Sequence, residues 1–253
     1  MSDQSFYRNR TAVITGGGRG FGKAFGTALA TRGAHAVLVD IDGKVAEAAA
    51  AGIRAKGGEA TGLAGDVTDE ARMNAVMAQA AAIHGGIDIL INNAGLHSHE
   101  YSQPILKMGL AKVKRLFEVN VIGVITCTLA AIPHMKGRAG ASITNISSSA
   151  AHMHGSAYGD TKLAVAGLTI TFARELGSDG VRVNAISPGL MLTETIAAEI
   201  PPETKARVKA MQVLEDDGKE EHIVDAMLFL TSPQAKFITG ETLRVTGGMA
   251  AGV

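Results

Sequence analysis

The 253-residue sequence has one cysteine, no tryptophan and no excess of either charge, with 24 basic and 24 acidic residues. The single cysteine, Cys127, cannot form a disulfide within the chain, and its apolar neighbours indicate a small buried residue rather than a reactive thiol. A formal net charge of zero provides no overall basic field that would hold a phosphodiester backbone or an anionic membrane. The composition therefore argues against a disulfide scaffold and against a nucleic-acid-binding protein.

Long apolar runs are missing as well. The N-terminal segment MSDQSFYRNR has no apolar signal core, and no uncharged apolar run reaches the roughly 18 residues that a membrane-spanning helix needs. We expect a cytoplasmic protein that binds neither nucleic acid nor membranes and has no metal site.

Glycine, by contrast, is abundant, with 31 residues, and short β-branched segments alternate with longer alanine-rich ones. The β-branched segments predict strands at 11–15, 35–39, 59–64, 87–92, 141–147, 181–187 and 242–246. Helical spacing predicts helices at 21–32, 43–56, 69–84, 109–135, 156–177, 202–212 and 219–231. This alternation is typical of an α/β fold, a Rossmann-like doubly wound parallel sheet of about seven strands with helices on both faces. In such sheets ligands bind at the carboxyl ends of the strands, near the point where strand order reverses.

The loop after the first strand, TGGGRGFG, opens directly into an alanine-rich helix. Gly16, Gly20 and Gly22 permit a tight turn and a close backbone approach, so that amide N–H groups and the helix N-terminus can face a pyrophosphate. A merely tight turn between a strand and a helix needs the same residues. The position after the first strand nevertheless favours dinucleotide binding.

Two charged residues bear on which dinucleotide binds. Asp40 ends the second strand, where a carboxylate can accept hydrogen bonds from both hydroxyls of the adenosine ribose and repel a 2′-phosphate. Arg19, in the glycine loop, could bind a 2′-phosphate, cover the adenine or reach solvent. Because an unpaired carboxylate facing a phosphate costs more than an idle arginine, we predict NAD, with NADP as the alternative.

The segment GDVTD places Asp66 and Val67 after the third strand. The carboxylate could accept a hydrogen bond from the adenine amino group while Val67 packs against the ring. The structural alternative is that Asp66 or Thr68 caps the next helix.

The chain as a whole resembles the short-chain dehydrogenase/reductase family nearly from end to end. The resemblance rests on these motifs, in order: TGGGRGFG, NNAG at 92–95, VNVIG, ITNISS, the YxxxK pair of Tyr158 and Lys162, SPGLMLT, and the C-terminal LFLTSPQAKFITGETLRVTGG. Thr246 stands where the family commonly has an aspartate. The resemblance implies an NAD(P)-dependent oxidoreductase acting on CH–OH groups.

Tyr158 and Lys162 form the chemical centre of this resemblance. Hydride transfer from an alcohol carbon requires a positioned base near neutral pH, whereas the ordinary tyrosine pKa is about 10. Lys162 lies on the same helix face, and its ammonium group would stabilise the phenolate and lower that pKa. The structural alternative is a buried tyrosine beside a surface lysine.

The resemblance assigns catalysis to Asn120, Ser148, Tyr158 and Lys162. Ser148 would donate a hydrogen bond to the substrate oxygen, Lys162 would also bind the nicotinamide ribose, and Asn120 would hold a water that connects Lys162 to solvent. The expected cofactor-binding residues are Thr15, Gly16, Arg19, Gly20, Phe21, Gly22, Asp40, Asp66, Val67, Asn93, Ala94, Gly95, Tyr158, Lys162, Pro188, Gly189 and Thr193. The expected substrate-binding residues are Ser148, His154, Tyr158 and Leu190.

Three consecutive serines leave the catalytic one to be chosen. Strand alternation turns Ser147 to the other side of the sheet, and alignment on ITNISSSA makes Ser148 the catalytic position, with Ser149 as the second candidate. Ser148 precedes Tyr158 by fewer residues than is usual in the family, so we expect this loop to open or reshape the pocket wall. His152 and His154 on the loop border the pocket and form no hydrolase triad, because the serine is not a nucleophile.

We expect residues 1–253 to form one domain, with cofactor binding mainly in 10–147 and catalysis and substrate binding mainly in 148–253. The leading hypothesis is an NAD-dependent enzyme that interconverts a secondary alcohol and a ketone. Its substrate would be a neutral, moderately apolar small molecule, since the segment after Pro188 has methionines and small aliphatics but no arginine-rich patch. The alternatives are an NADP-preferring reductase of 3-oxoacyl thioesters of a carrier protein or coenzyme A, and a non-catalytic nucleotide-binding regulatory protein.

Family resemblance implies a homotetramer, or a homodimer, assembled through the two long helices and the C-terminal strand.

Overall fold

The computed structural model describes residues 6–97, 99–101, 103–153, 155–191 and 202–249. Within them, seven strands form one sheet in the order β3-β2-β1-β4-β5-β6-β7, and every pairing is parallel. The strands are β1 (Thr11–Thr15), β2 (His35–Asp40), β3 (Glu59–Ala64), β4 (Ile89–Asn92), β5 (Ser142–Ile146), β6 (Arg182–Pro188) and β7 (Thr242–Val245). The predicted doubly wound α/β sheet is confirmed.

The strand order reverses between β1 and β4, which lie side by side in the middle of the sheet. The chain runs outward from β1 through β2 to β3, then returns to β4 and runs outward the other way. The loops that follow β1 and β4 therefore diverge and leave a crevice at the carboxyl edge, where ligands bind in such folds.

Helices connect the strands. The principal ones are Gly20–Thr31, Gly43–Arg54, Glu70–His84, Leu110–Phe117, Gly123–Met135, Ala157–Leu176, Pro202–Met211 and Glu220–Thr231. The bounds predicted for the strands and long helices agree with these to within about two residues, the usual uncertainty at element ends. The sequence did not predict the short helices Ile105–Met108 and Ala150–Met153, because single helical turns show no periodicity.

The sheet separates two apolar layers. Ile14 of β1 packs in the layer that contains Phe25, while its neighbour Val13 packs in the opposite layer with Met73. Successive side chains of a strand point to opposite faces, so both faces of β1 are buried. This explains why the central strands are apolar throughout instead of alternating apolar and polar residues.

A short π-helical turn, Glu118–Ile122, joins Leu110–Phe117 to Gly123–Met135. Asn120 lies in this turn and is fully buried; π turns within helices occur frequently at functional sites. In the described part of the chain, Leu110–Met135 is the one helical segment long and apolar enough to cross a membrane, and half of its most apolar window is buried inside the protein. That burial is typical of a core helix.

Buried side-chain hydrogen bonds connect the carboxyl ends of β4 and β5 to the helices beside them. Asn92 Nδ2 donates to Thr128 Oγ1 (3.1 Å) and Asn145 Oδ1 (2.9 Å), and Asn145 Nδ2 donates to Thr169 Oγ1 (2.9 Å). Because breaking such buried pairs leaves unsatisfied polar groups, these contacts fix the two strand ends against both helices. The loops that leave β4 and β5 therefore start from fixed positions.

Candidate active site

The glycine loop after β1 turns sharply and packs closely beneath the first helix. Gly16 and Gly20 have φ values of +61° and +49°, which favour glycine. A Cβ atom on Gly22 would lie 2.1 Å from the Gly16 carbonyl oxygen and 2.8 Å from Asn93 Nδ2. Any side chain at position 22 would therefore push the helix N-terminus away from the loop.

Thr15 and Asn93 join the loops that follow β1 and β4. Thr15 Oγ1 accepts hydrogen bonds from the backbone N–H groups of Asn93 (3.0 Å) and Ala94 (3.1 Å). Asn93 Nδ2 donates to the carbonyl oxygens of Thr15 (2.9 Å) and Gly16 (3.1 Å). These two side chains bind protein backbone and so form the floor of the crevice.

Asp40 is held against the glycine loop. Its carboxylate accepts hydrogen bonds from the N–H groups of Gly18 (3.1 Å) and Asp42 (3.2 Å), and the residue is 9% exposed. Asp42 itself caps helix Gly43–Arg54 through its own carboxylate. Arg19 is exposed, and Phe21 lies 6.2 Å from Phe25 between ring centroids.

Asp66 forms a turn with Thr68, accepting from its N–H (2.9 Å) and its hydroxyl (2.8 Å). The residue that caps helix Glu70–His84 is Asp69, so the structural alternative in which Asp66 or Thr68 caps that helix is wrong. Val67 is 7% exposed, and a Cβ on Gly123 would lie 2.6 Å from its Cγ2. Most of the Val67 side chain thus packs against the core helix.

Tyr158 lies in the first turn of helix Ala157–Leu176, which Ser156 caps by accepting from Gly159 N–H (3.0 Å). The tyrosine packs with Met108, Leu116 and Ala157, and the Ser148 hydroxyl lies close enough to its phenol to favour the ionised form. The Ser148 hydroxyl also accepts from Ala150 N–H (3.2 Å). Ser148 and Tyr158 therefore meet at the carboxyl edge of the sheet.

The other two serines have different environments. Ser147 Oγ donates to the Lys162 carbonyl oxygen (2.8 Å), and Ser149 is buried with its N–H bonded to the Pro188 carbonyl oxygen (2.8 Å). Strand alternation predicted that Ser147 and Ser148 point to different sides, and their different hydrogen-bond partners agree with this.

The connection between Ser148 and Tyr158 is not an open loop at its start, since Ala150–Met153 is helical. A Cβ on Gly159 would lie 2.6 Å from the Ala150 carbonyl oxygen. Glycine at 159 allows this short helix to pack directly against helix Ala157–Leu176.

Lys162 is nearly fully buried, and its Nζ donates to the Ile146 carbonyl oxygen (2.8 Å). Burial lowers the pKa of the lysine from 10.5 to about 8, because a charged group loses hydration there. The ammonium lies 5.7 Å from the centroid of the Tyr158 ring. The structure therefore has a buried lysine beside a half-buried tyrosine, not the alternative of a buried tyrosine beside a surface lysine.

The net effect of the surroundings on the pKa of Tyr158 is opposite to the lowering predicted from the spacing to Lys162. Burial raises the pKa of Tyr158, and the neighbouring Ser148 hydroxyl opposes this only in part. The physical reason is desolvation of the phenolate, which outweighs the neighbouring groups.

Asn120 binds the loop after β4. Its Oδ1 accepts from Leu96 N–H (2.7 Å), and its Nδ2 donates to the Leu96 carbonyl oxygen (3.0 Å) and to Thr161 Oγ1 (3.2 Å). Both amide donors are used, so a water at this side chain could only donate to Oδ1. Gly95 lies beside the pair, since a Cβ there would be 3.2 Å from Asn120 Oδ1 and 3.4 Å from Lys162 Nζ.

Pro188 ends β6 at the far side of the crevice. Gly189 N–H donates to the Val245 carbonyl oxygen (2.8 Å), and a Cβ on Gly189 would lie 2.9 Å from the Cα of Thr246. Leu190 lines a small cavity with Val208 and Gln212. The expected contacts of His154 and Thr193 fall outside the described residues.

The residues present fit a dinucleotide. A Cβ atom on Gly16 or Gly22 would meet neighbouring atoms at 3.0 Å or less, and Asp40 offers an acceptor beside the loop. Gly95 follows Asn93 in the chain and lies beside Lys162. Among the described residues, no group of three or more His, Cys, Asp or Glu side chains could hold a metal ion.

Comparisons with known proteins agree with this geometry. A family model described as enoyl-(acyl carrier protein) reductase matches residues 16–250. Cis-4-hydroxycyclohexanecarboxylate dehydrogenase of Sinomonas cyclohexanicum is 34% identical over 97% of this chain and 98% of its own length. The 7α-hydroxysteroid dehydrogenase of Escherichia coli K12 is 33% identical over 98% of this chain and 96% of its own length.

A solved structure of a 7α-hydroxysteroid dehydrogenase, complexed with NADH and 7-oxo glycochenodeoxycholic acid, has the same fold. It superimposes with a TM-score of 0.91 at 32% identity and covers 100% of this chain and 98% of its own.

Proposed function

Because the chain belongs to the short-chain dehydrogenase/reductase family, we propose that it interconverts a secondary alcohol and a ketone with NAD as cofactor. The family assignment makes the protein an oxidoreductase acting on CH–OH groups with a nicotinamide cofactor. The observation that supports the proposal best is that the Ser148 hydroxyl and buried Lys162 both lie beside the Tyr158 side chain. Lys162 lies beside Gly95, which follows the loop residues that form the floor of the dinucleotide crevice.

The proposed mechanism assigns one task to each side chain. Ser148 donates a hydrogen bond to the substrate oxygen, which stabilises the negative charge that develops there. Tyr158 takes the hydroxyl proton during oxidation and returns it during reduction. Lys162 stabilises the phenolate and binds the nicotinamide ribose. Asn120 holds the backbone of Leu96, the residue after Gly95. When bound, the nicotinamide ring accepts or donates the hydride.

The preference for NAD rests on Asp40. Its carboxylate is nearly buried beside Gly18, so a 2′-phosphate at this place would meet an unscreened like charge. Arg19 is the residue that opposes this preference, but it is exposed and free to turn to solvent.

We expect the protein to use NAD better than NADP, and Asp40→Ser to reverse that preference. Loss of hydrogen bonds to a charged acceptor, about 1.5–3 kcal/mol, should lower kcat/KM for NAD by roughly ten- to a hundredfold. Steady-state rates with a panel of secondary alcohols and ketones and all four cofactor forms measure this. Asp42→Ser is the matched control, since Asp42 caps a helix and should leave the ratio unchanged. A wild-type preference for NADP would overturn the assignment.

The substrate class we propose is a moderately apolar alcohol, with hydroxyl groups on saturated rings as the first to test. The two relatives named above act, by their names, on a hydroxycyclohexanecarboxylate and on hydroxysteroids. The second candidate, reduction of 3-oxoacyl thioesters with NADP, is favoured by Arg19. A non-catalytic regulatory role is opposed by the intact set of Asn120, Ser148, Tyr158 and Lys162.

We also propose a homotetramer. Ile122 and Leu129 on one long helix, and Leu163 and Ile170 on the other, are exposed by 46–62%, and strand β7 is a free edge of the sheet in the described chain. Size-exclusion chromatography with light scattering should give four times the mass of one chain. Leu129→Glu should reduce that mass, whereas Leu106→Glu, at a fully exposed leucine on another helix, should not. A wild-type monomer at micromolar concentration would contradict the proposal.

A further inference from the structure

Arg115 is a residue that the sequence analysis missed, and it lies beside Asp66. Its Nη2 is 3.5 Å from Asp66 Oδ2, and its Nη1 lies 3.4 Å from Thr68 Oγ1 and 2.9 Å from Glu118 Oε2. Thr68 in turn holds the other carboxylate oxygen of Asp66 by two hydrogen bonds. Arg115 and Thr68 thus each bind a different oxygen of the Asp66 carboxylate.

Asp66 is held in place but remains accessible. Its side chain is 33% exposed and that of Arg115 is 39% exposed, so one edge of the carboxylate can still receive a ligand. Partial burial acts to raise the pKa of Asp66, but the hydrogen bonds from Thr68 and the charge of Arg115 outweigh it and keep the pKa below its ordinary value. The group is therefore an anionic acceptor at neutral pH.

The helix that carries Arg115 also reaches the catalytic side of the crevice. Leu116, next in the chain, packs in the same cluster as Tyr158, and the π turn with Asn120 begins at Glu118. The anchor for Asp66 is therefore part of a rigid element, in contrast to the surface loop that carries Asp66 itself.

We propose that Arg115 is a positioning residue for the adenine end of the cofactor. It holds Asp66 in the orientation in which the free edge of the carboxylate accepts a hydrogen bond from the adenine amino group. The inference rests on the proposed function, since it requires a dinucleotide in the crevice. It goes further in assigning a role to a side chain that does not itself touch the cofactor.

The test compares NADH with reduced nicotinamide hypoxanthine dinucleotide, in which oxygen replaces the adenine amino group. Dissociation constants are measured by the quenching or enhancement of reduced nicotinamide fluorescence. Wild-type protein should bind NADH roughly tenfold more tightly, the value of one hydrogen bond to a charged acceptor. In Arg115→Met that ratio should fall to within about twofold, because Oδ2 of Asp66 is no longer fixed and the carboxylate, held only at Oδ1 by Thr68, can turn away from the adenine.

Two controls separate positioning from a general structural effect. Lys112→Met removes a cation from the same helix that pairs with Glu100 instead (3.2 Å) and should keep the wild-type ratio. Thr68→Val removes the hydroxyl that donates to Asp66 Oδ1 but keeps the backbone N–H bond, so it should lower the ratio less than Arg115→Met does.

The possible failures are distinguishable. If wild-type protein binds neither dinucleotide, the proposed function fails and this inference with it. If it binds both equally, the contact between Asp66 and adenine is absent and only the inference is overturned. If Arg115→Met keeps the wild-type ratio, Asp66 does not need Arg115, and the inference is likewise overturned.

Discussion

Replacing Tyr158 by phenylalanine is expected to lower kcat by roughly a thousandfold, within the range that a positioned general acid or base contributes. The variant loses the phenolic oxygen beside Ser148, while the ring still fills its place among Met108, Leu116 and Ala157. Binding of NADH should change little, because the packing around the ring remains. Steady-state kinetics and fluorescence titration of NADH together measure the two expectations.

The matched control is Tyr101→Phe. Tyr101 packs against the same apolar cluster as Tyr158, so the same loss of one hydroxyl should leave kcat within about twofold if the effect belongs to proton transfer. Full turnover by Tyr158→Phe would refute the assignment of the base.

The pH dependence of alcohol oxidation should follow the same residue. Because burial raises the pKa of Tyr158 in the free protein, the proton-accepting form becomes more abundant as pH rises. We expect kcat/KM for oxidation to increase with pH above neutrality. A profile that is flat between pH 7 and 10 would contradict this expectation.

Replacing Lys162 by methionine should have opposite effects on activity and stability. Activity should fall by at least a hundredfold, since the cation that stabilises the phenolate is removed. Stability at pH 7 should rise, because the shift of the Lys162 pKa from 10.5 to about 8 corresponds to roughly 3 kcal/mol against the buried charge. Loss of the hydrogen bond to the Ile146 carbonyl oxygen offsets about 1 kcal/mol or more of that gain.

The sign of the pH effect gives a sharper test. Between about pH 8 and 10.5 the unfolded chain holds a proton that folded Lys162 has lost, so wild-type stability rises with pH across this window. The advantage of Lys162→Met should therefore shrink from pH 7 to pH 10. Denaturant unfolding at several pH values measures it, with Lys44→Met, at an exposed lysine, as a control expected to change stability by less than about 0.5 kcal/mol. If Lys162→Met were less stable than wild type at pH 7, the buried charge of Lys162 would not be the cost to stability that we infer.

Both variants concern groups whose function opposes their burial. Tyr158 and Lys162 would each be easier to ionise if hydrated, yet their burial places them where charge has its greatest effect on a bound substrate. Stability is therefore lower at the site than an apolar packing of the same shape would give.

Much of the fold followed from the sequence because its signals are local. Strand and helix bounds came from β-branched runs and helical spacing, and the glycine loop came from a motif with a direct steric reason, as Gly22 against the Gly16 carbonyl shows. The prediction of Ser148 rested on the period of a strand together with alignment on ITNISSSA. The short helix Ala150–Met153 was missed, because one helical turn carries no periodic signal.

Residues whose partners are distant in sequence could not be assigned in this way. The partners of Asn120 are Leu96 and Thr161, that of Lys162 Nζ is the Ile146 carbonyl oxygen, and that of Asp66 is Arg115. The partners in each pairing are far apart along the chain, so local periodicity and short motifs do not predict the contact.

The sequence by itself determined the doubly wound sheet, the crevice at its carboxyl edge, and the residue types that reach it. Only the tertiary structure decided how those residues ionise and what they bind. It raised the pKa of Tyr158 where the spacing to Lys162 predicted a lower one, made Asp69 the helix cap instead of Asp66, and gave Asp66 its anchor in Arg115. The physical reason is that periodicity and motifs depend on neighbours along the chain, whereas desolvation and ion pairing depend on everything that packs around a group in space.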